Sequence, residues 1–209
     1  MIANLGTIMD QRGTVTIRHG LRQDVARVYD VYADAIEMIR ESGVPIRRRP
    51  RHDIDRLCEL SLGADFLRIA EGEGGGGVVG FSVSTRREGW LHLEEIGVLR
   101  AWQRRGIGSA LLRVLIKDCL DIDCVGITLT TDRLLPFNAP LYRQFGFREP
   151  GREAPRHLRD LLRHERALGL DPHRRVGMLL RKSEVAPEAL SAWSPVVAAP
   201  NGERRTKSG

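Results

Sequence analysis

Two periods of hydrophobic and polar residues alternate along this chain, and the switches between them divide it into elements. Thr14 to Arg18 reads as a first strand, and Leu21 to Ile39 places Val25, Val28, Tyr32 and Ile36 at helical spacing with Asp24 near the start. Ser42, Gly43 and Pro45 end that helix. Arg47, Arg48, Arg49 and Arg51 then form a basic loop before a short helix over residues 53–60. Phe66 to Glu71 and Val78 to Arg86 are strands joined by a glycine-rich hairpin, and Trp90 to Leu99 completes a meander. In this last strand a period of two sets Trp90, His92, Glu94, Ile96 and Val98 on one face and Leu91 and Leu93 on the opposite, buried face. Glu95 falls on the wrong parity unless a bulge shifts it.

The period then changes to helical. Ser109 to Leu120 carries Leu111, Leu112, Leu115 and Cys119 on one stripe, and Cys124 to Thr131 is a β-branched strand, so a right-handed parallel crossover is expected. A helix over Leu135 to Gly146, a strand start at Phe147 to Glu149 and a last strand at Val176 to Leu180 follow. Between them, Leu158, Leu161, Leu162, Glu165 and Leu168 mark an amphipathic helix opened by Pro155 and closed by Gly169. That helix is either a lid facing the substrate or an accessory helix packed on the surface. Residues 1–13 read as a disordered lead, 14–182 as one domain, and 183–209, with Pro187, Pro195 and Pro200, as a disordered tail.

Between the strand at 90–99 and the helix at 109–120 lies Gln103-Arg104-Arg105-Gly106-Ile107-Gly108. Glycines at 106 and 108 leave no side chain between an anion and the amides at a helix N-terminus, where the dipole favours phosphate, and Arg104 and Arg105 add positive charge. No Lys-Ser or Lys-Thr follows as a P-loop requires, and Leu111 stands where a dinucleotide fingerprint has its third glycine. A second constellation runs from Asn138 through Tyr142 to Gly146-Phe147, with Asn138 as candidate N-cap and Tyr142 one turn later on the same face.

The pattern Q/R-x-x-G-x-G/A after a strand and before a helix, followed about thirty residues later by N-x-x-x-Y-x-x-x-G-F, resembles the GNAT superfamily of acyl-CoA-dependent N-acetyltransferases. The resemblance covers about residues 14–182 and is weakest over 40–62 and 150–175. It implies an α/β fold with a mixed, mostly antiparallel sheet of six to seven strands flanked by helices and splayed near Val98. It implies acetyl-CoA as co-substrate, bound by Gln103, Arg104, Arg105, Gly106, Ile107, Gly108 and Ser109, by the backbone of Ile96, Gly97 and Val98, and by Asn138 and Tyr142. Tyr142 would protonate the CoA thiolate. Glu94 is the first candidate for the general base and His92 the next, because an alkyl amine with a pKa of about 10 is mostly protonated at neutral pH. The rival reading is a non-catalytic CoA-binding or protein-interaction module on the same fold.

Composition narrows this picture further. The chain has 209 residues, 42% of them hydrophobic, enough for one domain with a full core. Its net charge is +6, with 33 basic residues of which only Lys117, Lys182 and Lys207 are lysines. CoA is itself a polyanion, so this charge does not call for nucleic acid. Cys58, Cys119 and Cys124 suit neither a disulfide framework nor a zinc site and read as core residues or inert thiols; no metal is expected. With no apolar run long enough for a bilayer and no secretory signal, a cytoplasmic enzyme is expected. Its acceptor would be a small-molecule or peptide amine, a homodimer is compatible, and a basic rim at Arg47 to Arg51 would disfavour a highly cationic acceptor.

Overall fold

The computed structural model describes residues 4–10, 13–41, 50–73 and 77–187. Its strands are β1 (Asn4–Asp10), β2 (Gly13–His19), β3 (Phe66–Gly72), β4 (Gly77–Arg87), β5 (Trp90–Val98), β6 (Gly126–Asp132) and β7 (Arg175–Arg181). They form one seven-stranded sheet in sequential order, antiparallel throughout except for the β5–β6 pair. That exception follows from the connection, since a helix between two adjacent strands returns the chain in the same direction. The helices are α1 (Val25–Glu41), α2 (Pro50–Gly63), α3 (Ile107–Asp121), α4 (Ala139–Gln144) and α5 (Arg156–Ala167).

Alternation along the strands buries both faces of the sheet. On one face, Ile69, Phe81 and Val83 pack against Val28, Val31 and Tyr32 of α1 and Leu57 of α2. On the other, α3 lies across the sheet, with Ile107, Ala110, Leu111 and Val114 over β2 to β4 and Leu112, Leu115, Ile116 and Cys119 over β5 to β7. A buried ion pair between Arg68 of β3 and Asp118, 2.7 Å apart, fixes the far end of α3. α5 sits on the α1 face, where Leu158 is fully buried against Gly177; a Cβ at Gly177 would come within 2.9 Å of it.

Several expectations change. Residues 4–10, read as part of a disordered lead, form β1, because Thr7, Ile8 and Met9 pair with Thr16, Val15 and Thr14 of β2. The helix expected from Leu135 begins only at Ala139, and Phe147 to Glu149 contributes a single bridge, Arg148 to Leu179, rather than a strand. At the other end, residues 182–184 form a 3-10 turn, and 188–209 lie outside the described residues. So do Arg47, Arg48 and Arg49 of the basic rim. The cysteines are free; Cys119 is buried in the core with its Sγ 2.9 Å from that of Cys124, and burial pushes its thiol well above the usual range. No helix among the described residues is long and apolar enough to cross a membrane.

Candidate active site

The β5–β6 ladder covers only Leu91–Leu93 against Ile127–Leu129. Beyond Leu93, β5 pairs with β4 alone and β6 with β7 alone, so the sheet parts after Leu93, five residues earlier than the splay expected near Val98. Ile96, Gly97 and Val98 pair with Ser82, Phe81 and Gly80 on one edge, while their other edge faces the opening outside any ladder. Apart from the Val98 carbonyl, which accepts from Gln103, backbone groups on such an edge can pair with a ligand. Gly97 also has a packing reason, since a Cβ there would lie 2.9 Å from the Phe81 ring.

A bulge reverses the expected parity of β5. Val83 pairs with Glu95 and Ser84 with Leu93, leaving Glu94 as the extra residue. Ile96 therefore moves to the buried α3 face with Leu91 and Leu93, away from His92, and Glu95 joins the face of Trp90 and His92. Strict alternation, which placed Glu94, Ile96 and Val98 with His92, fails past this point. Glu94 is enclosed, with 2% of its side chain exposed, and its Oε1 accepts from Thr85 Oγ1 at 2.6 Å and from the Arg87 guanidinium at 2.5 and 2.8 Å. Burial pushes its carboxyl up, but His92, Thr85 and Arg87 together outweigh burial and hold it below the usual range. Glu95 keeps 23% of its side chain exposed, with Arg56 of α2 at 3.7 Å.

At the end of β5, the chain turns through residues 100–106 into α3. Gly106 is the N-cap with φ +79°, and Arg104 also takes a positive φ of 57°. The first bond into the helix runs from Ala110 N–H to Gly106 O at 2.9 Å, so the amides ahead of it belong to the unsatisfied first turn. Nothing lies within 4 Å of a Cβ built on Gly106 or Gly108, so the space in front of these amides is open. Gln103 donates to Val98 O at 3.2 Å, tying the turn to the strand edge, and the Arg105 guanidinium stacks 4.2 Å from the Trp102 ring centre. A polyanionic phosphate chain fits such a cradle.

α4 packs Tyr142 into the core formed by α3 and β5 to β7. Its ring is buried against Phe147, 5.9 Å between centroids. Burial raises its phenol far above the usual range; the negative charge of Glu95 raises it further and Arg175 opposes. Asn138 occupies the N-cap position of α4, but its side chain makes no capping bond; its carbonyl accepts from Tyr142 N–H at 3.2 Å.

The acetyltransferase (GNAT) family model matches residues 27–147, more than half of the chain. The chain belongs to the GNAT acetyltransferase family. Solved structures share its fold. A GNAT-family acetyltransferase from Staphylococcus aureus Mu50 aligns with a TM-score of 0.58 at 18% identity, over 80% of this chain and 99% of that one. The PaiA N-acetyltransferase from Thermoplasma acidophilum, in complex with coenzyme A, gives 0.59 at 13% identity over 80% and 98%. The ribosomal-protein-S18-alanine N-acetyltransferase from Escherichia coli gives 0.55 at 16% identity over 83% and 97%.

This GNAT domain also carries a polar layer that periodicity did not reveal, on the face shared by α2 and α5. His92 is 3% exposed and its Nδ1 lies 2.9 Å from Thr128 Oγ1, which lies 2.9 Å from His157 Nε2 on α5. Further along, Glu165 of α5 receives a two-pronged contact from Arg175 of β7 and a hydrogen bond from Thr130 of β6 at 2.7 Å. Together with Leu158, these contacts clamp α5 onto β6 and β7, which is the accessory-helix arrangement. The signal in the sequence was slight: a histidine and a glutamate on the inward side of an amphipathic helix.

Burial pushes the His92 imidazole down to about 4 from the usual 6.5, with Arg87 and His157 adding to burial and Glu94 and Glu165 opposing. A lowered histidine pKa means that the unfolded chain binds a proton the native state refuses. Its contribution is therefore fully present above pH ~6.5 and is lost as pH falls toward ~4, by up to roughly 3 kcal/mol. Urea unfolding at pH 7.5 and 4.5 is expected to show this loss, and His92→Gln is expected to reduce it. An equal loss in both proteins would assign the acid sensitivity to other groups.

Proposed function

We propose that this GNAT protein transfers an acetyl group from acetyl-CoA to a primary amine by direct attack of the amine. One observation carries the reading: past Leu93 the edge of β5 lies outside any ladder with β6, and the chain runs from that edge through a glycine turn straight into the N-terminus of α3. The cradle formed by Gln103 to Ser109 holds the phosphates. Strand-edge N–H groups at Ile96 to Val98 hold the thioester carbonyl and stabilise the oxyanion that develops there. Asn138 contacts the co-substrate, and the Tyr142 hydroxyl donates to the departing thiolate sulfur.

The base acts from β5. The bulge and the accessible carboxylate favour Glu95 as the group that takes the ammonium proton. Glu94, committed to Arg87 and Thr85, provides a fixed negative charge beside it. The acceptor enters from the α2 side, where Arg56, Glu59, Leu60 and Gly63 of α2 and Thr85 of β4 line a cleft of about 230 Å³. That size suits a small amine or the end of a peptide.

Calorimetric titration with acetyl-CoA, followed by a free-thiol assay over a panel of small amines and peptides, tests this reading. Saturable 1:1 binding and amine-dependent CoA release are expected. Binding without turnover on any amine would favour the non-catalytic module, and no binding by folded protein would remove the acetyl-transfer assignment.

A further inference from the structure

Transfer of acetyl from a thioester to an ammonium group yields an amide, a thiol and one proton in excess, so that proton must leave the filled cleft. A chain of groups runs from His92, whose strand partner Thr85 lines the cleft, through His157 of α5 to the surface. His92 Nδ1, Thr128 Oγ1 and His157 Nε2 are spaced at 2.9 and 2.9 Å, and all three residues are buried. His157 Nδ1 is buried without a hydrogen-bond partner, 3.8 Å from the carboxylate of Glu88, which is exposed in the β4–β5 turn and accepts the His157 backbone N–H at 3.1 Å.

These contacts fix a direction. A bare Nδ1 lone pair facing the Glu88 carboxylate would be repelled, so His157 carries its proton on Nδ1 and leaves Nε2 as an acceptor. The Thr128 hydroxyl then donates to His157, and its oxygen is left to accept the Nδ1–H of His92. His92 thus presents Nε2 as an unprotonated nitrogen. Proceeding on the acetyl-transfer reading above, we propose that His92, Thr128 and His157 form a proton conduit, oriented by Glu88, that carries the released proton from the cleft to the surface.

The step balances. The ammonium proton, taken first by Glu95, passes through water in the cleft to His92 Nε2 and leaves Glu95 ionised again, as the Nδ1 proton of His92 passes to Thr128 Oγ1, the hydroxyl proton passes to His157 Nε2, and the Nδ1 proton of His157 leaves to Glu88 and water. The groups acting on His92 are Arg87 of β4, Glu94 of β5, and His157 and Glu165 of α5; those acting on His157 are Glu88, Arg87, Glu94 and Asp160. Burial lowers both imidazoles, which suits groups that pass a proton and do not store it. Thr128, His157 and Glu88 are positioning residues in this scheme.

With an active amine, Thr128→Val is expected to lower kcat about 10-fold or more at pH 7, in the range of lost proton-transfer assistance. KM for acetyl-CoA should not change, and added imidazole should restore rate by ferrying the proton. Thr128→Ser is expected to keep kcat within about twofold because the hydroxyl remains. Glu88→Gln, on the exposed turn, tests the orienting charge without touching the core and should lower kcat with the same rescue. Wild-type kcat in folded Thr128→Val or Glu88→Gln would overturn the conduit, as would a loss that imidazole does not relieve. Nitrogen-15 spectra of the imidazoles need no turnover and separate this proposal from the acetyl-transfer reading. They should show His92 as the neutral Nδ1–H tautomer, with its shifts moved by Glu88→Gln; an Nε2–H tautomer indifferent to that change would overturn the proposal.

Discussion

Tyr142→Phe is expected to lower kcat about 100-fold while leaving the affinity for acetyl-CoA within about twofold, the lower range for loss of a positioned proton donor. A factor of 100 corresponds to about 2.7 kcal/mol of transition-state stabilisation. The ring is buried against Phe147 and fills its site without the hydroxyl, so phenylalanine keeps the packing. What disappears is the one group whose proton affinity is raised by burial and by Glu95, and which therefore stays protonated through the neutral range. In the proposed reaction, a phenol held that firmly would donate a hydrogen bond to the forming thiolate, with the positive charge of Arg175 assisting full transfer. Steady-state kinetics with the best amine, beside calorimetry with acetyl-CoA, would decide. Unchanged kcat would remove Tyr142 from the chemistry, and lost acetyl-CoA binding would make it a binding residue.

The double variant Arg105→Glu/Gly106→Glu is expected to weaken acetyl-CoA binding more than about 100-fold, since like charges facing each other across a binding surface cost several kcal/mol. Two effects act together. A glutamate at 106 must hold φ near +79°, a strain of roughly 1–2 kcal/mol for a residue with a Cβ, and its carboxylate would stand in the open space before the first turn of α3. Reversal at 105 replaces a guanidinium stacked on Trp102 with a second negative charge. Gly106→Ala carries the strain without the charge and Arg105→Gln loses the charge without reversal, so the two separate the causes. If the double variant binds acetyl-CoA as the wild type does, the phosphates do not lie at this turn.

Much of the fold was legible because its signals are local. The stripe of Leu111, Leu112, Leu115 and Cys119 is buried as expected, and the strand, glycine turn and helix stand in the order read from residues 90–120. Tyr142 follows from its spacing to Asn138 and Gly146-Phe147, although the capping role of the Asn138 side chain does not hold. β1 was missed because its apolar residues are few and its partner, β2, supplies the pairing. The polar layer on α5 was missed because periodicity treats an inward-facing histidine or glutamate as an interruption of an apolar stripe.

Most element types, the glycine turn ahead of α3 and the Tyr142 segment are written in the residues themselves, since each is encoded within a dozen residues by periodicity and by glycine. Tertiary pairing alone sets which carboxylate of β5 is enclosed and which keeps solvent access. The bulge at Glu94 is set by the match between β5 and β4, and one inserted residue exchanges the faces of everything after it. The same holds for the chain of His92, Thr128 and His157, whose members are separated by 36 and 29 residues and meet only because β6 pairs with β5 and α5 is clamped onto β6. Contacts of that span carry no periodic trace, because they depend on how elements pack and not on how each one forms.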